Sequence, residues 1–256
     1  MTTYTISPYP RSEFEPSPRW VRVYFNSQLI ADSRNMMLLR ENNRLPLYYF
    51  PKHDVRMDCL QPSDHTTDSG PKGEGVFWHV KVGDRVADNA AFTFHNPPDD
   101  GPKLEDHVAF QWNEMDAWFE EDEEVFVYAR DPYKRVDVLQ SSRHIKVVVD
   151  GTTVADSNRP WLLFETGLPT RYYVPKHDAR MDLLEPSDTV TRCPYKGEAN
   201  LYSIRIGNEL HRDLAWTYRY PMLECLKIQG LLGFLNEKVD LYEDDKLLPR
   251  PETAWS

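Results

Sequence analysis

Cysteine is scarce in this chain, which has three among its 256 residues: Cys59, Cys193 and Cys225. An odd count without a close CxxC pair argues against a disulfide framework or a structural zinc site. Long hydrophobic runs are also missing, because no stretch approaches the roughly 18 apolar residues of a membrane span. The opening residues Met1–Ile6 lack the basic and apolar regions of a secretion signal. We therefore expect a cytoplasmic protein with free thiols.

Positive charge is in the minority. Lysine and arginine number 30 against 41 aspartate and glutamate residues, so the net charge is −11. A nucleic-acid surface needs clustered basic side chains, and an anionic membrane attracts the same clusters. Neither partner is expected. The acidic run Glu120–Glu124 is interpreted as a solvated turn.

Several chemical signatures are absent as well. The sequence contains no GxxxxGK[ST] phosphate loop, no GxGxxG after a strand, no GxSxG and no HExxH. Its eight histidines do not form a set with metal-ligand spacing. We therefore predict no cofactor and no metal. A metal held by aspartate and histidine residues that the fold brings together stays open.

What the chain does contain is the same domain twice. Pro51-Lys-His-Asp-Val-Arg-Met-Asp58 recurs 124 residues later as Pro175-Lys-His-Asp-Ala-Arg-Met-Asp182, and Lys72-Gly-Glu74 recurs in the same register. A period of this length fits a duplicated globular domain. The predicted segments are an extended N-terminal arm (1–17), a first repeat domain (18–122), a linker with one strand at Val125–Tyr128 (123–143), a second repeat domain (144–246) and a C-terminal tail (247–256).

Each copy has the pattern of a mostly antiparallel β domain. The pair Asp150-Gly151 between two β-prone runs predicts a type I′ hairpin, because both central residues of that turn need positive φ. One short helix per copy is predicted, over 104–115 and 222–235, where apolar residues roughly follow a helical period. The predicted fold class is mainly β, with two tandem, homologous domains that pack on each other; an oligomer is compatible with the sequence.

The segment that the two copies share best is dense in charge. In the second copy it contains Lys176, His177, Asp178, Arg180 and Asp182 within seven residues. If this segment is extended, its side chains alternate between two faces. One interpretation is a strand whose register is fixed by ion pairs around Arg180. The other is that His177 is a general acid–base, oriented by a neighbouring carboxylate.

A second shared block contains Lys196-Gly-Glu198, preceded in the second copy by Cys193-Pro-Tyr. The lysine beside a tight turn suits an anionic substrate group. Cys193 is either a nucleophile, which needs a base and a lowered pKa, or a buried inert thiol. Aromatic residues of the second copy, including Trp216 and Tyr218 where the first has phenylalanine, favour a polar-lined pocket. The second copy is therefore the predicted working domain.

At these residues the chain resembles the domain-of-unknown-function 427 family, in its two-copy form. The resemblance rests on Tyr172-Tyr-Val-Pro-Lys-His-Asp-Ala-Arg-Met-Asp, Cys193-Pro-Tyr-Lys-Gly, Ala215-Trp-Thr-Tyr and the linker Arg130-Asp-Pro-Tyr-Lys-Arg-Val-Asp137, and the similarity covers about 20 to 243. It implies a compact β-rich fold, similar to β-tent domains, with a pocket between curled sheets. A nucleotidyltransferase label is sometimes attached to this family. The first copy departs from the pattern, with Asp68-Ser-Gly-Pro in place of Arg192-Cys-Pro-Tyr.

Three functions follow from these observations. The first is an enzyme that uses cofactor-independent acid–base chemistry on a small molecule, as an isomerase, cyclase or lyase does. The second is a non-catalytic small-molecule binding or scaffold protein, and the third is a nucleotidyltransferase-like protein, which needs carboxylates on Mg²⁺. The predicted catalytic residues are His177, Asp178, Lys196 and Cys193. The predicted substrate-binding residues are Arg180, Asp182, Tyr173, Tyr195, Glu198, Trp216 and Tyr218.

Overall fold

The computed structural model describes residues 12–41, 44–99 and 101–253. They fall into two compact domains, of which the first ends at Asp131 and the second begins at Pro132. Of the predicted N-terminal arm only 12–17 lie in the described part, and of the predicted tail only 247–253. Among these residues no helical segment has both the length and the apolar character that a transmembrane span requires.

The first domain consists of short strands and 3-10 turns. Its strands are β1 (Ser12–Pro16), β2 (Val21–Phe25), β3 (Gln28–Ser33), β4 (Met37–Glu41), β5 (Leu47–Pro51), β6 (Leu60–Asp68), β7 (Glu74–Val82), β8 (Arg85–His95), β9 (His107–Phe110), β10 (Ala117–Glu120) and β11 (Glu123–Glu124). Its 3-10 turns are Lys52–Asp54, Met57–Cys59, Gly70–Lys72 and Trp112–Glu114.

The second domain repeats this arrangement. Its strands are β12 (Val136–Gln140), β13 (Ile145–Val149), β14 (Thr152–Ser157), β15 (Trp161–Glu165), β16 (Arg171–Val174), β17 (Leu184–Cys193), β18 (Gly197–Ile206), β19 (Glu209–Pro221), β20 (Leu232–Phe234), β21 (Asp240–Glu243) and β22 (Lys246–Leu247). Its 3-10 segments are Lys176–Asp178, Met181–Leu183 and Leu223–Ile228.

Both domains have the same topology. Each contains a seven-stranded sheet, ordered β1-β4-β5-β9-β8-β7-β6 in the first domain and β12-β15-β16-β20-β19-β18-β17 in the second. Each also contains a four-stranded sheet, β11-β10-β2-β3 and β14-β13-β21-β22 respectively. The strands of the second domain pair antiparallel throughout both sheets. The prediction of a mainly β fold with two tandem homologous antiparallel domains is confirmed.

The large sheet of each domain buries both of its faces. Along β16, Tyr172 and Val174 belong to the main core, whereas Tyr173 belongs to a second cluster on the other face, as the alternation of side chains along a strand requires. The main core lies between the two sheets, since it includes Val147 of β13 and Leu241 of β21. The second cluster is covered by the 3-10 segment Leu223–Ile228, whose Cys225 and Ile228 are buried in it.

Three predicted elements are wrong. Val125–Tyr128 is not a strand, because Val127 has φ of 80°, which an extended strand does not adopt. The segment 104–115 contains the central strand β9 (His107–Phe110), which pairs with both β5 and β8. In place of the helix predicted over 222–235, the chain forms a 3-10 segment and then strand β20. Short apolar runs fit a buried strand as well as a helix, so neighbouring strands decide between them.

Two further strands lie in segments predicted to be an arm and a linker. Strand β1 is the edge strand beside β4, and strand β12 is the edge strand beside β15. Ser12 and Val136 are 124 residues apart. The structural repeat therefore begins before the first residues that the two copies visibly share.

Candidate functional site

The charged segment after β16 folds into two successive 3-10 turns, Lys176–Asp178 and Met181–Leu183. The segment is therefore not the extended, ion-paired strand of the first interpretation, because the amides of Asp178 and Ala179 donate back to Pro175 O and Lys176 O. The Asp178 carboxylate accepts a hydrogen bond from Ser157 Oγ at 2.8 Å and two from Arg159, at 3.0 and 3.1 Å. It thereby ties the first turn to the end of β14.

The first domain has the same turns, Lys52–Asp54 and Met57–Cys59, and repeats two of these contacts. Asp54 accepts a hydrogen bond from Ser33 Oγ at 2.6 Å. The pairs Arg56–Asp58 and Arg180–Asp182 both have a nitrogen–oxygen distance of 2.6 Å and are exposed. The hydrogen bonds from Arg159 hold the pKa of Asp178 below its usual value, and those from Arg180 do the same for the pKa of Asp182. The shared charged segment therefore has a structural role that the turn geometry explains.

His177 extends from this turn into solvent. Its side chain is 64% exposed, and Nε2 lies 3.5 Å from Asp178 Oδ1. Ala179 and Leu183 pack against the main core, whereas Lys196 lies against the second cluster on the opposite face of the large sheet, as described below. The structure therefore does not bring His177 and Lys196 into one site.

We predict that Asp178→Asn lowers the free energy of unfolding of the second domain by about 1–2 kcal/mol, because Ser157 and Arg159 lose a charged acceptor. His177→Ala is expected to change it by less than about 0.5 kcal/mol, as an exposed substitution does. Hydrogen exchange in urea, measured on peptides of each domain, provides the two values. Equal losses for the two variants would show that the imidazole also supports the turn.

Lys196 lies in the tight turn between β17 and β18 and is directed into the domain. Its ammonium pairs with Glu165 Oε2 at the end of β15. The other oxygen, Oε1, lies 3.3 Å from Lys134 Nζ. The carboxylate of Glu165 is 3% exposed and the Lys196 side chain 13%. Lys134, Glu165 and Lys196 are called the lysine–glutamate cluster below.

The turn that carries Lys196 depends on Gly197. Its φ is 95°, and a Cβ atom there would lie 3.1 Å from Tyr220 O. Both the positive φ and the close approach to β19 favour glycine. This backbone brings Lys196 over the second cluster, where the Met222 amide donates to Lys196 O at 3.1 Å.

Electrostatics keep Lys196 protonated. Burial alone would lower the pKa of its ammonium, but the Glu165 carboxylate raises it. The net pKa is above the usual lysine value. Lys196 is therefore a fixed positive charge in a poorly solvated place, where charge interacts more strongly than in water.

Aromatic residues surround this charge. Trp216 Nε1 donates a hydrogen bond to Tyr173 Oη at 3.1 Å, and the two rings meet edge to face with centroids 6.2 Å apart. Burial raises the pKa of Tyr173 to about 12 and raises that of Tyr218 well above its usual value. The Tyr195 ring centroid lies 5.7 Å from Lys134 Nζ. The phenols of Tyr173 and Tyr218 are therefore neutral at physiological pH.

Two thiols lie beside the cluster and differ in exposure. Cys225 is buried, its Sγ lies 3.5 Å from Tyr195 O, and burial raises its pKa to about 11. It therefore fits an inert thiol. Cys193 is partly exposed at the end of β17, in register with Gly197.

The first domain has a simpler version of this site. Lys72 and Glu41 form the corresponding ion pair at 2.8 Å, with the Lys72 ammonium 4.9 Å from the Phe94 ring centroid. The counterparts of Lys134 and Cys193 are Pro10 and Ser69. Tyr49, the counterpart of Tyr173, has a buried hydroxyl without a partner among the described residues. At the aligned positions the second domain therefore has Lys134, a thiol at Cys193 and the Trp216 indole, where the first has Pro10, Ser69 and Phe92.

The structure thus divides the predicted site residues into three groups. Those around the lysine–glutamate cluster are Lys196, Cys193, Tyr173, Tyr195, Trp216 and Tyr218. Those in the turns beside the main core are His177, Asp178, Arg180 and Asp182. Glu198 is exposed, pairs with Arg192 at 3.1 Å and lines a shallow depression of about 170 Å³ together with Asn200, Arg219 and Tyr220.

Sequence reasoning missed Glu165 and Lys134. A signal for Glu165 existed, because Glu41 and Glu165 are identical residues in the repeat register, as are Lys72 and Lys196. An acid and a base that both recur in two copies are candidates for an ion pair. Lys134 had no such signal, since it belongs to one copy and lies in the predicted linker.

The sequence was compared with protein families and with curated proteins. A family model described as "Domain of unknown function (DUF427)" matches residues 13–121 and, a second time, 137–245. A search of curated proteins found no match.

Proposed function

Because this chain belongs to the DUF427 family in two copies, and because its copies differ at one buried charged site, we propose that the second domain acts on a small anionic or carbonyl-bearing metabolite. The proposed chemistry is acid–base catalysis without a cofactor, of the isomerase, cyclase or lyase type. The proposed site is the lysine–glutamate cluster with Cys193.

The observation that supports this proposal most is the charge balance of the cluster. In the second domain two ammonium groups share one buried carboxylate, so the cluster has a net positive charge. In the first domain the corresponding pair, Lys72 and Glu41, is neutral. An excess cation beside buried rings favours an anionic ligand, because a low dielectric strengthens the attraction.

The residues of the cluster suit different tasks. Lys196 stays protonated and would stabilise negative charge that develops on a substrate oxygen. Cys193 is the partly exposed acid–base group nearest to it along the turn. In this proposal Cys193 removes the substrate proton and returns it. The exposed His177 has no part in this chemistry.

A second candidate is binding without catalysis. It is favoured because Lys196 already has an ion-pair partner in Glu165, and because the rings of Tyr173 and Tyr218 are buried. Both observations fit a structural or binding role for these side chains. Such a site would hold an anion between Lys134 and Lys196 and leave it unchanged.

The test is a thermal-shift panel of small carboxylates and keto acids, with nucleotides plus Mg²⁺ as a separate arm for nucleotidyl transfer. Compounds that stabilise the protein are then incubated in D₂O, and deuterium uptake into the compound is followed by NMR. We expect a keto acid or carboxylate to raise the melting temperature and to exchange a proton. Stabilisation without exchange or turnover would support the binding protein, and stabilisation by nucleotides alone would contradict both candidates.

Matched variants assign the result to the cluster. Lys196→Met should abolish both the thermal shift and the exchange, and Lys134→Gln, a more exposed change, should weaken both. Cys193→Ser, which installs the first domain's residue, should retain the shift and lose the exchange. Lys72→Met and His177→Ala should retain both the ligand-induced thermal shift and the exchange. Ligand binding that persists in Lys196→Met would refute the proposed site.

A further inference from the structure

A different cluster of polar groups lies where two turns of the second domain meet. Asp150 is in the turn between β13 and β14, Glu209 is the first residue of β19, and His211 follows two positions later on the same side of that strand. One ligand atom from each residue lies within 4.8 Å of the others. The cluster therefore contains one residue from a turn of the small sheet and two from a strand of the large sheet.

None of these three side chains has a hydrogen-bond or ion-pair partner in the described part of the chain. The Nε2 atom of His211 is shielded from solvent and unpaired. A buried polar atom without a partner is costly, and two carboxylates at this spacing repel each other. Among the described residues, these carboxylates therefore have no positively charged side chain paired with them.

The first domain has different residues and contacts at the corresponding place between its two sheets. Asn26, the counterpart of Asp150, donates from Nδ2 to Val82 O at 2.9 Å and so joins the two turns directly. The counterparts of Glu209 and His211 are Arg85 and Ala87. Arg85 pairs with Asp116 and lies 4.4 Å from the Phe25 ring centroid. In the first domain an amide, a guanidinium and a methyl group thus stand where the second domain has two carboxylates and an imidazole.

We propose that Asp150, Glu209 and His211 bind a divalent transition-metal ion of the Zn²⁺ class, which joins the two sheets of the second domain. Carboxylate oxygen and imidazole nitrogen are ligands of such ions at about 2.0–2.2 Å. Tetrahedral ligands at that radius are separated by about 3.4 Å, so binding would require the exposed Asp150 and Glu209 carboxylates to rotate toward the imidazole. The imidazole disfavours Mg²⁺ and Ca²⁺, which prefer oxygen ligands.

This site is separate from the lysine–glutamate cluster, because the two lie at opposite ends of β19. Glu209 is its first residue, and Pro221, its last, pairs with Gly197 beside Lys196. Its test is independent of turnover. Isothermal titration of the full chain with ZnCl₂, after removal of metal by dialysis, should show one ion per chain, and Zn²⁺ should raise the melting temperature of the second domain. Mg²⁺ at the same concentration should do neither.

The first domain supplies the matched variants. Asp150→Asn, Glu209→Arg and His211→Ala each install the residue of the first copy, and each should weaken Zn²⁺ binding about tenfold or more, since even indirect supports of a metal ligand contribute that much. Cys193→Ser controls for binding by a thiol and should leave the affinity unchanged. Absence of binding by the wild type up to about 1 mM Zn²⁺, or unchanged binding by Asp150→Asn and His211→Ala, would overturn the proposal.

Discussion

Glu165→Gln is expected to lower the free energy of unfolding of the second domain by about 3–5 kcal/mol. Removing one partner of a buried ion pair leaves the other charge uncompensated in a poorly solvated place. Here two charges lose their partner, because Lys196 and Lys134 both contact this carboxylate. Urea-dependent hydrogen exchange, measured on peptides from β15 to β19, determines the loss for this domain.

Glu198→Gln is the matched control in the same domain. This glutamate is 49% exposed on its side chain and pairs with Arg192, and an exposed pair of this kind contributes about 0–1 kcal/mol. The first domain should retain its wild-type stability in both variants. If Glu165→Gln cost no more than Glu198→Gln, the lysine–glutamate cluster would be solvated, and the argument for a strengthened positive charge at this site would fail.

Gly233→Ala is expected to cost the second domain about 1–3 kcal/mol, as overpacking a close-packed core does. A Cβ atom at position 233 would lie 2.7–2.9 Å from three atoms of the Trp216 indole. The indole would have to move, and its hydrogen bond to Tyr173 would be lost with it. The melting temperature and the exchange of strands β16, β19 and β20 measure this loss.

The first domain shows how the clash is avoided. There the counterpart of Gly233 is Ala109, and the counterpart of Trp216 is the smaller Phe92. Trp216→Phe combined with Gly233→Ala should therefore lose less stability than the two single changes added together, by about 0.5–3 kcal/mol, as contacting residues do when they couple. Strict additivity would mean that the glycine is not needed to accommodate the indole.

These two predictions concern one site of the second domain, part of which the first domain shares. Both domains retain a buried lysine–glutamate pair, so the pair itself fits a common structural role. The second cation, the partly exposed thiol and the Trp216–Gly233 pair belong to one copy. A function specific to the second domain is therefore tested best by exchanging these residues for those of the first.

The sequence by itself determined the duplication and the β class. Each of these depends on local patterns: a constant spacing between similar stretches, alternation of apolar residues, and turn residues such as Asp150-Gly151, where both φ angles are positive. Cys193 and Trp216, which lie near Lys196 in the fold, also stood out in the sequence, because the second copy differs from the first at these positions. Local patterns suffice for such features because they reflect the conformations of neighbouring residues.

Tertiary structure alone decided which groups share a site. Glu165 and Lys196 are 31 residues apart in sequence, and they meet because the turn after β17 brings the lysine over the second cluster. His177 is much closer to Lys196 in sequence, but it lies beside the main core, on the other side of the large sheet. The same holds for β9, whose short apolar run becomes a strand because β5 and β8 pair with it on both sides. Contacts between distant segments depend on pairing and on sheet faces, which no local pattern contains.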